Sequence, residues 1–163
     1  MKRIIIDRDK CDGCKNCSIA CMQAHRADEG VSTVYYLDLL DPKNEARHTI
    51  TSNRNGGYIP VFCRHCAVPE CVGACMSGAL KKDGVTGHVQ YDEKRCGACF
   101  MCVMSCPYGN IKPDKVSLTK ILKCDFCKNA QGAADDKEEP NCVKLCPRKA
   151  IHVEEINAGE KAV

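Results

Sequence analysis

The 163-residue sequence has few of the side chains that usually build a hydrophobic core. It has no Trp, three Phe and five Tyr, and its apolar residues come in short bursts such as Ile4–Ile6. A core made from these side chains alone would be thin, and small domains with thin cores depend on a staple such as a disulfide or a metal. The sixteen cysteines are the obvious source of that staple.

Long apolar segments are also missing from the sequence. Only three consecutive isoleucines stand between the first residues and Asp7, which is too short for a secretory signal peptide. No later run approaches the length of a membrane span. We therefore expect a cytoplasmic protein without a membrane span. In that reducing compartment, clustered cysteines are metal ligands or redox groups rather than disulfides.

Two further absences exclude classes of function. The Lys and Arg residues, which leave a formal net charge of +3, are spread along the chain and form no basic tract. Nucleic acid is therefore not an expected partner. The sequence also has no glycine-rich nucleotide loop, no recognisable catalytic triad and no spare cluster of carboxylates. We expect no catalytic activity in this chain by itself.

The cysteines fall into four groups of four, with none left over. The first and third groups have the spacing Cys-x2-Cys-x2-Cys-x3-Cys, and the second and fourth open with Cys-x2-Cys and end with Pro-x-Cys-Val-x2-Cys. The members are Cys11, Cys14, Cys17 and Cys21; Cys63, Cys66, Cys71 and Cys75; Cys96, Cys99, Cys102 and Cys106; and Cys124, Cys127, Cys142 and Cys146. This alternation indicates an internal repeat.

The spacing of the first and third groups is typical of [4Fe–4S] clusters. Two-residue steps let three successive sulfurs reach three corners of a cubane, and the cysteine after x3 ligates another cluster. A zinc-binding interaction module is the alternative, but tetrahedral zinc sites use separated cysteine pairs and do not need a third cysteine at a further x2 step. We therefore interpret all sixteen cysteines as ligands of four [4Fe–4S] clusters.

The histidines are expected to play lesser roles. His65 lies between Cys63 and Cys66, but four thiolates already satisfy a cubane, so we expect its imidazole to pack or hydrogen-bond beside a cluster. The remaining histidines are interpreted as isolated surface or packing residues: His25, His48, His88 and His152.

We predict one α+β domain over residues 1–163, with short antiparallel strands and short helical turns. Its two pseudo-repeats are residues 1–90 and 91–163, interrupted by an insertion at 26–60 and a polar loop at 129–139. Strands are expected at residues 2–6, 34–40, 78–80, 87–92 and 150–153. A turn is expected at Asn55–Gly57, and the residues after Val153 are expected to form a frayed tail.

The chain resembles the four-cluster ferredoxin-type subunits of anaerobic oxidoreductases. The resemblance covers nearly all of residues 1–153 and is carried by the four cysteine groups, by Cys-Arg-His-Cys at 63–66 and by Lys-Cys-Asp-Phe-Cys at 123–127. Within that family the segments 11–17, 75–79 and 99–109 are most similar to the CooF-type electron-transfer proteins of carbon monoxide dehydrogenase. The resemblance implies a duplicated bacterial-ferredoxin-like fold wrapped around four [4Fe–4S] clusters.

The resemblance also implies which cysteines share a cluster. The four sets are Cys11, Cys14, Cys17 with Cys146; Cys124, Cys127, Cys142 with Cys21; Cys63, Cys66, Cys71 with Cys106; and Cys96, Cys99, Cys102 with Cys75. It further implies a relay of single electrons between a catalytic oxidoreductase subunit and an acceptor. Carbon monoxide dehydrogenase is the favoured partner; aldehyde or formate oxidoreductases and hydrogenases are the alternatives, and a flavoprotein is a candidate acceptor.

Overall fold

A computed structural model describes residues 1–25, 41–128 and 139–156. The strand predicted at 34–40 and most of the polar loop predicted at 129–139 lie outside the described residues, as do residues 157–163 of the predicted tail. Of the insertion, only residues 41–60 are described. No helix in these three ranges has both the length and the apolar composition to span a bilayer.

The described elements are short. The strands are β1 Lys2–Ile6, β2 Thr49–Ser52, β3 Tyr58–Val61, β4 Leu80–Lys82, β5 Val89–Tyr91, β6 Lys112–Pro113, β7 Ile121–Leu122 and β8 Ile151–Glu155. The α-helices are α1 Asn16–Ala24, α2 Glu70–Gly73, α3 Met101–Ser105 and α4 Asn141–Lys144, and a 3-10 turn covers Glu93–Arg95. Each described strand pairs with one antiparallel partner, which confirms the prediction of short antiparallel strands.

The two ends of the described chain form one half of the fold, called here the outer half. Strand β1 pairs with β8, so that Ile4 lies opposite Val153, and helix α1 packs against α4. Between the strands and the helices lies a small core whose buried members are Ile4, Cys17, Phe62, Cys142 and Ile151. Two of these five side chains are cysteines, so the hydrophobic packing and the cysteine groups share the same space.

The middle of the chain forms the inner half in the same way. Strand β4 pairs with β5, and helix α2 packs against α3. The core of this half consists of Leu80, Val89, Cys102, Ile111 and Ile121, with half-buried cysteines around it. The first cysteine group thus meets the fourth and the second meets the third, because the helices that carry them pair in a nested order.

The described part of the insertion lies against the outer half. Strands β2 and β3 form a hairpin, and its turn contains Gly56 at a φ of +79°, in agreement with the turn predicted at 55–57. Phe62, directly after β3, is buried in the outer core, and its ring stacks on His48 with centroids 4.1 Å apart. Ile50 of the insertion therefore packs against the outer core, and Phe62, which follows the insertion, is a buried member of it.

Several predicted boundaries were wrong, and the strands predicted at 87–92 and 150–153 are found at Val89–Tyr91 and Ile151–Glu155. The strand predicted at 78–80 begins only at Leu80, because Gly78 has a φ of +64° and donates its N–H to the Cys75 carbonyl in a turn. The predicted tail begins too early, because Glu154 and Glu155 still belong to β8 and pair with β1. A local turn thus sets the start of β4, whereas pairing with β1, which is distant in the chain, sets the end of β8.

We expect the substitution Ile4→Ala to lower the stability of the folded protein by about 2–4 kcal/mol, because it leaves a cavity in the outer core. Ile4 is 8% exposed, whereas the neighbouring Ile5 points to the opposite face of β1 and is only half-buried. Ile5→Ala is therefore the matched control and should cost less. Anaerobic thermal unfolding of the cluster-loaded protein measures both, and equal losses would contradict the placement of the core.

Candidate metal centres

The four Cys-x2-Cys loops share one backbone feature. In each loop the residue just before the second cysteine has a positive φ: Gly13 at +70°, His65 at +43°, Ala98 at +51° and Phe126 at +62°. Residues other than glycine rarely adopt this conformation. It turns the chain within two residues, so that successive sulfurs face the same side. Its recurrence in all four loops indicates that the sulfur arrangement imposes it.

In the tightly spaced groups, the third cysteine stands in the first turn of a helix. Lys15 and Phe100, at φ values of +61° and +56°, directly precede α1 and α3. Cys17 and Cys102 are therefore the second residues of these helices, and both side chains are buried. The fourth cysteine follows one helical turn later and faces the paired helix, as the x3 spacing predicts.

The structure gathers two complete quartets around cavities. One cavity is lined by the side chains of Cys11, Cys14, Cys17 and Cys146. Another is lined by those of Cys63, Cys66, Cys71 and Cys106. Each quartet combines three cysteines of one group with the last cysteine of another group, which is the combination that the family resemblance implies.

The other two quartets are revealed by the thiols that interact electrostatically. Burial raises the pKa of Cys102, and the neighbouring thiols of Cys75, Cys96 and Cys99 raise it further. Burial likewise raises the pKa of Cys142 strongly, with further contributions from Cys124, Cys127 and Cys21. The structure thus brings together all four sets of cysteines that the sequence predicted. Ligation by these sets remains a prediction.

The chemistry of these quartets fits cubane clusters. All sixteen cysteines lie in the described ranges, and all are free thiols. Among the described residues no three His, Cys, Asp or Glu side chains converge closely enough to hold one metal ion, and two quartets line cavities instead. Backbone N–H groups donate to sulfur in three places: Leu80 to Cys75 at 3.4 Å, Ala150 to Cys146 at 3.3 Å and Arg47 to Cys21 at 3.4 Å. Clusters bound here would supply one-electron redox chemistry.

The surroundings of His65 are a further test of whether a cluster fits the Cys63 quartet. Its Nδ1 accepts the backbone N–H of Val89 at 3.0 Å, which leaves the proton of the neutral ring on Nε2. That Nε2 is buried and has no hydrogen-bond partner among the described residues. Because His65 lines the cavity of the Cys63 quartet, an unsatisfied donor lies next to the place where cluster sulfur would stand. The prediction that this imidazole packs and hydrogen-bonds is confirmed, since it also lies 4.8 Å from the His88 ring.

The surroundings of Cys21 are the part of the site that sequence reasoning missed. Helix α1 continues past Cys21 to Ala24, so His25 follows one turn later and its Nδ1 lies 3.8 Å from the Cys21 Sγ. Burial raises the pKa of the Cys21 thiol, but hydrogen bonds with His25 and His48 outweigh burial and lower it to about 6. The prediction that His25 is an isolated residue was wrong. His48 packs on Phe62, as predicted for it, but also contacts the ligand set.

A charged network holds these groups in place. The Nε2 of His25 lies 3.0 Å from Asp125, and the guanidinium of Arg47 lies 2.8 Å from the other oxygen of the same carboxylate. Burial lowers the pKa of His25, but hydrogen bonds with Asp125 and Cys21 together outweigh burial and raise it to about 9. In the sequence, the spacing of four residues from Cys21 to His25 could have indicated that the imidazole lies near the thiol. No such indication existed for Arg47, because it lies in the insertion.

The family described as the 4Fe-4S dicluster domain matches residues 55–156, which include the second, third and fourth cysteine groups. The chain belongs to this family. The first group, Cys11 to Cys21, precedes the matched range, so the family match supports [4Fe–4S] clusters and leaves their number as a prediction.

Relatives of this dicluster-domain protein include named subunits of oxidoreductases. It is 31% identical to the thiosulfate reductase electron transfer subunit PhsB of Salmonella typhi, over 94% of this chain and 76% of PhsB. It is 32% identical to the NADH-dependent phenylglyoxylate dehydrogenase subunit beta of Aromatoleum evansii, over 94% of this chain but only 30% of that longer subunit. These relatives confirm an iron–sulfur electron-transfer component rather than a catalytic subunit.

A solved structure agrees with the family. A chain of the active site complex BamBC of benzoyl coenzyme A reductase, in complex with zinc, superposes with a TM-score of 0.51 and 27% sequence identity. The superposition covers 99% of this dicluster-domain protein and 83% of that chain. The short paired strands and short helices described above are consistent with a ferredoxin-like 4Fe-4S domain.

We expect Gly13→Ala to weaken the first loop, because Gly13 has a positive φ and an added Cβ would overlap the Tyr58 ring. The cost should be about 1–3 kcal/mol, with a loss of iron from the purified protein. Gly97→Ala in the third Cys-x2-Cys loop is the matched control, since an added Cβ there meets nothing within 4 Å. Iron analysis and anaerobic thermal unfolding compare the two variants; equal iron content and stability would refute this account.

Proposed function

We propose that this protein is a single four-cluster domain that relays single electrons between a catalytic oxidoreductase subunit and an acceptor. The observation that carries the proposal is the gathering of sixteen free thiols into four quartets, each of which takes its last member from a different cysteine group. Membership of the 4Fe-4S dicluster domain family and the electron-transfer names of relatives support it.

The proposed ligand sets follow the quartets. One [4Fe–4S] cluster each is assigned to Cys11, Cys14, Cys17 and Cys146; to Cys21, Cys124, Cys127 and Cys142; to Cys63, Cys66, Cys71 and Cys106; and to Cys75, Cys96, Cys99 and Cys102. The thiols bind the irons, and the N–H groups directed at sulfur compensate thiolate charge. The small apolar cores of the outer and inner halves exclude water from them.

The arrangement of the quartets supports a relay in single file. Cys17 of one quartet interacts electrostatically with Cys142 of the next. Cys124 of that second quartet interacts with Cys63 of a third. The third and fourth quartets meet where α2 packs against α3. Each quartet thus has a neighbour, and the two quartets at the ends of the row are the natural points of entry and exit.

Two assignments compete for the identity of the catalytic partner. Carbon monoxide dehydrogenase follows from the sequence resemblance to CooF-type proteins. The relatives named above belong to thiosulfate reductase and to a phenylglyoxylate dehydrogenase, and a partner of another oxidoreductase class is the competing assignment. A flavoprotein is the proposed acceptor class. A cytoplasmic location follows from the composition argument alone.

The nested ligand sets predict a specific pattern of iron loss. Cys11→Ala and Cys146→Ala should each remove about a quarter of the iron and acid-labile sulfide. The double variant should lose no more than either single one, because both cysteines serve one cluster. The matched control is Cys11→Ala combined with Cys21→Ala, which should lose about twice as much. Equal losses in the two double variants would contradict the nested assignment, and zinc without sulfide in the native protein would contradict the function.

We expect carbon monoxide to bleach the visible absorbance of the clusters within seconds when the anaerobic protein is mixed with a catalytic amount of carbon monoxide dehydrogenase. The reason is that electrons released by the enzyme reduce the clusters of this chain. Formate with formate dehydrogenase and hydrogen with hydrogenase are the parallel assays. Bleaching only in one of those would reassign the partner, and bleaching in none of the three would argue against an electron relay to these enzymes.

A further inference from the structure

A lysine is buried between two of the quartets. Lys123 directly follows β7, and its side chain is 3% exposed. Its ammonium donates to the carbonyl of Val89 at 2.8 Å and to the carbonyl of Cys124 at 2.8 Å. No carboxylate of the described residues forms an ion pair with it. Burying an ammonium without a counter-charge is costly, so an anion is expected beside it.

The position of Lys123 points to two such anions. Lys123 lines the cavity of the Cys63, Cys66, Cys71 and Cys106 quartet. It is also the neighbour of Cys124, which belongs to the quartet completed by Cys21, and it hydrogen-bonds the Cys124 carbonyl. Burial raises the pKa of both Cys71 and Cys124, and the charge of Lys123 lowers both. One ammonium therefore acts on thiols of two different quartets.

The backbone of Val89 fixes this ammonium. Val89 is 2% exposed in β5, its carbonyl accepts from Lys123, and its N–H donates to the Nδ1 of His65. Because its Nδ1 accepts this hydrogen bond, the His65 ring carries a proton on one nitrogen only and is uncharged. Lys123 is thus the cation that both quartets share in this buried region. Arg3 is a second nearby cation, but it interacts electrostatically with Cys63 and Cys66, which both belong to one quartet.

We propose that Lys123 is a shared counter-charge for the clusters bound by these two quartets and that it raises the reduction potential of both. The proposal rests on the four-cluster function proposed above. Reduction adds one negative charge to a cluster site, and a fixed cation in a poorly screened interior stabilises the reduced state more than the oxidised state. A cation that serves both sites moves their potentials in the same direction, so the difference between the two potentials changes much less than either one.

The test compares the substitutions Lys123→Met and Lys123→Arg in the anaerobic, cluster-loaded protein. Iron and sulfide are measured first, and a redox titration followed by electron paramagnetic resonance then resolves the individual clusters. At a fixed potential, Lys123→Met should lower the ratio of reduced to oxidised cluster about tenfold at two of the four clusters. A tenfold change corresponds to about 59 mV for one electron. Lys123→Arg keeps the charge and should leave both potentials near the native values.

Two control variants distinguish the effect of a charge shared by two clusters from the effect of removing any cationic side chain. Lys112 also donates to two backbone carbonyls, those of Ala46 and His48, but it pairs with Glu45 at 3.2 Å. Lys112→Met should therefore shift the potentials much less than Lys123→Met. Arg3→Met should shift one cluster only, because Arg3 acts on thiols of one quartet.

Each outcome bears on the proposal. Unchanged potentials in Lys123→Met, or a shift at one cluster alone, would overturn it. If Lys123→Met fails to assemble, Lys123→Gln retains a donor for the carbonyls without the charge. Iron loss from two sites in both neutral variants but not in Lys123→Arg would support the shared charge, and equal loss in Lys123→Arg would refute it. A native protein without four clusters would instead refute the function on which the proposal rests.

Discussion

The collection of thiols into quartets is the constraint on which the rest of this structure depends. Burial raises the pKa of Cys17 and Cys71 to about 11 each, so these groups are neutral thiols at pH 7, and the proposed ligation of iron would have to displace their protons. Because metal ligands must be deprotonated, binding of the cofactor and completion of the fold are coupled. A protein with so few aromatic residues has little else to hold its two small cores together.

The groups that would compensate the negative charge of the thiolates differ from one quartet to another. At Cys21 the compensation comes from neighbouring side chains, His25 and His48, and from the backbone N–H of Arg47 in the insertion. Between the two central quartets it comes from the single buried ammonium of Lys123, held by backbone carbonyls. Since local charge and hydrogen bonding set cluster potentials, otherwise similar cysteine groups acquire different redox properties through their surroundings.

The nested pairing of helices links the fold to the proposed relay. Helix α1 packs on α4 and α2 on α3, which places each x3 cysteine beside a loop from another group. Because β1 and β8 pair in the outer half, the two ends of the described chain lie side by side. The proposed row of quartets is an arrangement suited to moving electrons over a distance.

The sequence alone determined the features that depend on local spacing. The Cys-x2-Cys steps, the strand at Lys2–Ile6 and the identity of every proposed ligand could be predicted, because sulfur geometry within a loop is set by a few consecutive residues. Only the tertiary structure decided that Arg47 and His48 reach Cys21 and that Val89 fixes both His65 and Lys123. Those contacts join residues far apart in the chain, and the charges of buried groups depend on such neighbours, which leave no periodic pattern in the sequence.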